Sequence, residues 1–335
     1  MSASDLPILR SDTLRQSLLI SGLFVLGLLA VNLAFFAPGT VAVVLLSGLY
    51  QGMLFFLVAA GMSIVFGLLD VLNLAQGAFF MVGAYTGFAI YGALPPGTPL
   101  EVRFVAALLG ATLAGALLGG AVERGLLRPL YARPIFQIVL TFGLSTAMVE
   151  VVRALYGPAA LVPVARPAVL DTTFRLAGGQ FETYRMFIIA VGFALMVAIS
   201  LLLQRTRLGI VIRAGVQDRE MVEALGINVR RVFTLVFALG TAVAALGGMT
   251  AAPFLGASPG LGTEFLLIAV IVIVIGGMSS YEGTAIASVL VGLTRATAEQ
   301  VSLQYFNTPV LASVSILVFM VVVLLVRPNG LFGRE

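Results

Sequence analysis

Residues 17–69 read SLLISGLFVLGLLAVNLAFFAPGTVAVVLLSGLYQGMLFFLVAAGMSIVFGLL, and none of them carries a charge. The charge-free run from Gln16 to Leu69 is 54 residues long. A helix needs about 20 apolar residues to cross roughly 30 Å of hydrocarbon at 1.5 Å per residue. The Pro38-Gly39 step divides the run, so it holds two spans, Ser17–Phe36 and Val43–Leu69. Three more charge-free gaps follow: 30 residues after Asp70, 32 after Arg231 and 27 after Glu299. Each is long enough for one or two further spans.

The composition agrees. Of 335 residues, 60% are hydrophobic and 10% are charged, with a mean hydropathy of +1.10. Soluble domains carry about 25% charged residues, so this chain has too little charge to cover a water-facing globule. The chain has no cysteine, histidine or tryptophan, and all 19 basic residues are arginine. Thiolate chemistry, histidine metal sites and histidine proton shuttles are thereby excluded, as are Schiff-base lysines and a P-loop lysine. The basic balance reads as a cytoplasmic arginine excess rather than a nucleic-acid surface. The apolar run at Ser17–Phe36 exceeds the 7–15 residues of a secretory h-region and has no A-x-A site after it, so it reads as a retained first span.

Charge-free runs and Gly/Pro punctuation place the remaining spans at Leu74–Gly92, Val102–Ala121, Ile135–Tyr156, Tyr184–Leu203, Val232–Ala252, Glu264–Met278, Gly283–Ser302 and Thr308–Val326. The expected fold is an all-α polytopic membrane protein of about ten transmembrane helices, with eight as the lower bound. The eighth and ninth spans are short and could form a broken or re-entrant pair. Residues 1–335 read as a single transmembrane domain, with a Pro-rich periplasmic loop at 157–183 and an arginine-rich cytoplasmic loop at 204–231. With the N-terminus inside, 13 arginines fall on cytoplasmic segments and 5 outside, and both termini are cytoplasmic. Five spans on each side of the outer loop would make any internal repeat two inverted five-helix halves with broken helices.

Three segments could carry function. In the first, Asn73-Leu74-Ala75-Gln76-Gly77 breaks the apolar stretch after the second span. Asn73 is suited to take a backbone N–H at a helix start, and broken helices often line transport pathways. The same residues would equally make an ordinary cytoplasmic turn. The second lies in the loop at 204–231, where Asp218 could cap a short helix that Gly226 ends, with Glu220 in its first turn. Val222 and Leu225 would then share a face able to dock in a partner's groove, or to lie on lipid. In the third, the pair Gly276-Gly277, followed by Met278 and Ser279, allows close helix approach or a simple turn. Two charge pairs lie within spans, Arg295 with Glu299 at i, i+4 and Glu150 with Arg153 at i, i+3, and both read as structural ion pairs. No span carries two carboxylates at helical spacing, which disfavours an ion-coupled transporter or channel acting alone.

Together these segments resemble the integral-membrane permeases of branched-chain amino acid ABC importers of the LivH type. The resemblance rests on Gly48-Leu49-Tyr50-Gln51-Gly52 through Gly67, on Val71 to Gly77, on Arg213-Ala214 through Ala224-Leu225-Gly226-Ile227-Asn228, and on Gly276-Gly277-Met278. It runs in order over about Val41–Gly330. Where this chain has Asn73-Leu74-Ala75-Gln76-Gly77, the family usually shows Asn-Phe-Ala-His-Gly, so Gln76 keeps the hydrogen bonding and removes the titration.

The resemblance implies a permease subunit, not an enzyme, in the bacterial inner membrane. It implies import of branched-chain or related small amino acids by alternating access; the family also serves urea, short amides and other small acids. The implied partners are a second homologous permease, two cytoplasmic ATPase subunits that bind ATP and Mg, and a periplasmic solute-binding protein. No cofactor, metal or nucleic acid is expected on this chain. The pathway residues would be Asn73, Gln76, Gly77, Gly276, Gly277, Met278 and Ser279. The ATPase would be met by Arg213, Ala214, Asp218, Glu220, Glu223, Ala224, Leu225, Gly226, Ile227 and Asn228.

Overall fold

A computed structural model of the protein describes residues 7–69, 72–131, 133–176, 179–217, 219–278, 280–308 and 310–333. Its axis is α2 (Pro38–Leu69), a continuous 32-residue helix that starts at the proline separating it from α1 (Pro7–Phe35). A proline at a helix start loses no helical hydrogen bond, so Pro38 ends one helix and opens the next. Next come α3 (Gln76–Ala93), α4 (Leu100–Val122) and α5 (Pro134–Tyr156). A π-helical turn at Glu123–Leu127 and a 3-10 turn at Arg128–Leu130 join α4 to α5.

The outer segment is not a plain loop. Strands β1 (Thr173–Leu176) and β2 (Gly179–Glu182) pair antiparallel, and Leu161 bridges Ala257. Arg166 binds Glu182 at 3.1 Å and the Pro253 carbonyl at 3.0 Å. Arg185 packs over the rings of Tyr50, Phe254 and Phe181. The hairpin is therefore tied to the outer helix ends.

The second half starts with α6 (Thr183–Arg205) and the short helices α7 (Arg207–Gln217) and α8 (Arg219–Ala224). It continues with α9 (Val229–Leu255), α10 (Leu261–Gly276), α11 (Tyr281–Phe306) and α12 (Val310–Val326). Asn228 caps α9 by accepting from the Arg231 N–H at 3.1 Å, and Ser280 caps α11 through the Gly283 N–H at 3.0 Å.

Burial separates inner helices from outer ones. About two thirds of the apolar stretch of α2 is buried (67%) and 72% of that of α9, against 11% for α1 and 17% for α6. The inner pair pack on one another. Their most extensive contacts are crosswise, α2 on α11 and α9 on α4. Outer helices present leucine, valine and phenylalanine outward, as lipid-facing helices do.

The span count is lower than ten. Among the described residues, six helices are long and apolar enough to cross a membrane, or up to seven if α10 and α11, bent by 117°, count as one. The physical cause is where the short helices start. The side chain of Gln76, the first residue of α3, reaches the Val58 carbonyl at 3.5 Å. Val58 lies eleven residues, or about 16 Å, before the end of α2. Helix α3 therefore begins deep within the bundle and needs only 18 residues. Helix α10, with 16 residues, is likewise shorter than a full crossing, and the described part of α12, with 17, is at its lower limit.

Candidate functional site

Four helices meet at the start of α3. The Asn73 side chain accepts from the Ala75 N–H at 3.1 Å, which turns the chain into α3. Its amide donates to Gln76 Oε1 at 3.0 Å. Gln76 Nε2 then donates to the Gly240 carbonyl of α9 at 3.0 Å. Both side chains are buried, Gln76 completely. One amide thus ties α3 to α9, and its other end is held by the turn that starts α3.

The surrounding glycines permit this convergence. A Cβ at Gly77 would collide with the Gly262 carbonyl and Leu266, and one at Gly61 with Gly240 and Gln76. Backbones this close exclude every larger side chain. Gly77 and Gly262 belong to the first turns of α3 and α10, and a turn further on Phe80 stacks on Phe265 at 4.3 Å. The two helices meet at their N-terminal turns, inside the bundle. Gly61 falls within the stretch from Gly48 to Gly67 that carries the resemblance, but in a chain with 37 glycines nothing local marks Gly240 as its close neighbour or Gly262 as that of Gly77.

The other glycine pair lies elsewhere. Gly276 and Gly277 end α10, about 21 Å along that helix from Gly262. Gly277 has φ +100 and turns the chain toward α11. The C-terminal segment packs there: the Leu331 N–H donates to Ile275 and the Phe332 N–H to Gly276. Met278 is exposed, and Ser279 lies outside the described residues.

The short helix expected near 217–228 is present as α8, six residues long, and Gly226 with φ +80 follows its last turn. Asp218 lies outside the described residues, as do the side chains of Glu220 and Glu223. Val222 and Leu225 do not form one apolar face for docking: Val222 is buried, whereas Leu225, just past the end of α8, is 72% exposed. Ala224 and Gly226 are also exposed, Ile227 is half-buried, and Asn228 caps α9. Arg213 on α7 donates to the Leu203 carbonyl, and Ala214 packs inward beside it.

The two intramembrane charge pairs diverge. Arg153 donates to Glu150 at 2.7 Å, with both side chains half-exposed near the end of α5. The ion pair expected between Arg295 and Glu299 is not formed. Glu299 accepts from Gln51 on α2 at 3.1 Å, and the Arg295 guanidinium lies over the Phe55 ring at 5.6 Å. Helix spacing allowed the pair, but partners on α2 displace it.

A further charged centre had no sequence signal beyond its place beside a cytoplasmic arginine cluster. Glu123, fully buried, accepts from the hydroxyls of Tyr131 and Thr234, with Arg128 at 3.7 Å. It ties the end of α4 to the start of α9. Among the described residues no group of three or more His, Cys, Asp or Glu is placed to hold a metal ion.

A polytopic helical bundle with broken inner helices is an architecture that membrane transporters use. Residues 44–326 match the family model described as the branched-chain amino acid transport system / permease component, and the chain belongs to that family. It is a permease subunit and not itself catalytic. It is 29% identical over 297 residues to the high-affinity branched-chain amino acid transport system permease protein LivH of Salmonella typhimurium and of Escherichia coli, covering 86% of this chain and 94% of theirs. It is 28% identical over 299 residues to the corresponding protein BraD of Pseudomonas aeruginosa, covering 87% and 95%. The fold is similar to a chain of PsaBC from Streptococcus pneumoniae in complex with Fab. The TM-score is 0.50 at 15% identity, over 90% of this chain and 96% of that one.

Proposed function

We propose that this chain is the membrane-spanning permease of a binding-protein-dependent ABC importer that moves branched-chain or related small amino acids into the cytoplasm. The observation that carries this reading is the family match over residues 44–326, and the relatives' names supply the substrate class. Urea, short amides or other small acids are the alternative cargo. The proposed setting is the bacterial inner membrane with both termini cytoplasmic, supported by the arginine bias. The proposed assembly adds a second homologous permease, two ATPases that bind ATP and Mg, and a periplasmic solute-binding protein.

In this reading the chain works as one transmembrane unit built of two inverted halves, α1–α5 and α6 with α9–α12. The crosswise packing of α2 on α11 and of α9 on α4 supports it. Asn73, Gln76 and Gly77 border the translocation pathway where α3 and α10 meet. Gly276, Gly277, Met278 and Ser279 bound its cytoplasmic end. Alternating access parts these helices, driven by the ATPases.

The loop at 204–231 couples the two. Arg213 and Ala214 brace it, and Asp218, Glu220, Glu223, Ala224, Leu225, Gly226, Ile227 and Asn228 are the residues that meet the ATPase. Leu225, 72% exposed just past the end of α8, suits an apolar groove on the ATPase. The test is co-purification. Leu225→Asp and Glu223→Arg should release the ATPase subunits from the tagged permease while it remains folded in the membrane. ATPases that still co-purify and still respond to loaded binding protein would refute the coupling role.

A further inference from the structure

The stripe where α2 faces α11 holds a set of polar groups that do not satisfy one another. Gln51 and Phe55 are one helical turn apart on α2, as are Arg295 and Glu299 on α11. Glu299 accepts from Gln51 Nε2, which leaves Gln51 Oε1, on a side chain 8% exposed, without a donor. Arg295 Nε is buried without an acceptor, and among the described residues no carboxylate lies within ion-pair distance of Arg295. An arginine within a span is costly unless it faces a partner or a polar path. Here it rests on the Phe55 ring, an interaction weaker than a desolvated ion pair.

Beside the charges lies an apolar wall. The Phe55 ring is 6.3 Å from Phe265, which stacks on Phe80 at 4.3 Å. Phe265 and Phe80 stand on the second turns of α10 and α3. The vacant donor, the vacant acceptor and the carboxylate therefore adjoin a phenylalanine cluster at the junction of the broken helices.

We infer that Arg295, Glu299 and Gln51, with the Phe55–Phe265–Phe80 wall, form a subsite for a zwitterionic apolar α-amino acid in transit. The Arg295 guanidinium takes the substrate carboxylate through Nε–H. The Glu299 carboxylate and Gln51 Oε1 accept from the substrate ammonium. The phenylalanine rings receive the branched aliphatic side chain. The fit lies in sign and donor type: the unfilled groups are one cationic donor and neighbouring acceptors, which is the complement of a zwitterion and not of urea or an amide. The subsite rests on the proposed function and narrows its substrate class.

The experiment uses the complete importer, with partner permease, ATPases and binding protein, in proteoliposomes loaded with ATP. The readout is radiolabelled L-leucine moved per ATP hydrolysed. Arg295→Gln and Glu299→Gln should each lower this ratio at least tenfold in assembled complexes, and Arg295→Lys should recover it to within threefold of wild type. An unchanged ratio in both glutamine variants refutes the subsite. So does a parallel fall of uptake and hydrolysis, which marks a structural role. Should Arg295→Gln fail to assemble, the near-isosteric Glu299→Gln decides alone. A wild-type importer that moves no amino acid refutes the proposed function itself, a result distinct from wild-type uptake that the variants leave intact.

Discussion

Replacing Gln76 by leucine removes the one amide that ties α3 to α9. Leucine has a similar volume and suits the apolar surroundings, so the change is chiefly a loss of hydrogen bonds. The bonds to the Gly240 carbonyl and from the Asn73 amide are both 3.0 Å, and each is worth about 1 kcal/mol net. The Asn73 amide, buried to 2% exposure, is left without its acceptor, at a further cost of about 1–2 kcal/mol. The Asn73 oxygen keeps its bond from Ala75. The sum is about 3 kcal/mol against the packed junction, or roughly a hundredfold in the equilibrium between joined and separated α3 and α9. Leucine uptake by cells carrying the complete importer should fall at least tenfold, and the purified subunit should melt several degrees lower by size-exclusion thermostability. Gln76→His returns a donor toward Gly240 and should recover most of both. Wild-type uptake and melting in Gln76→Leu would refute the role of this junction.

Gly77→Val places a branched side chain against the Gly262 carbonyl; overpacking there should cost about 3 kcal/mol and abolish uptake even where the permease still reaches the membrane, read by immunoblot against transport. Glu123→Ala removes the carboxylate that Tyr131 and Thr234 donate to, leaving Thr234 its bond to the Arg230 carbonyl and Arg128, one third exposed, without its carboxylate; thermostability should fall by about 2–3 kcal/mol, and Tyr131→Phe by about 1. Glu150→Gln breaks a half-exposed surface pair and should change stability by less than about 0.5 kcal/mol in the same melting assay.

Much of the fold was legible because apolar runs and Pro/Gly steps mark helices directly: Pro38, Pro134 and Gly157 sit at helix ends as their chemistry requires. Depth was not legible. Nothing within residues 72–93 states that Gln76 will bond to Val58 and Gly240, and that tertiary contact is what starts α3 inside the bundle and lowers the span count. The Arg295–Glu299 pairing failed for a related reason. The i, i+4 rule describes one helix, whereas Gln51 and Phe55 arrive from another. In the cytoplasmic loop the helix stop at Gly226 was readable from its residue type, but the opposite fates of Val222 and Leu225 depend on where the bundle lies. The hairpin at Thr173–Glu182 was hidden in a polar, Pro-rich stretch whose alternation is too short to register.

The most direct test of the central claim is leucine uptake by proteoliposomes holding either the complete importer or this chain alone. Uptake should require internal ATP, the ATPase subunits, the partner permease and loaded binding protein together, and the chain alone under a proton or sodium gradient should move nothing. Leucine accumulation by the chain alone, driven by the ion gradient and indifferent to ATP, would contradict it.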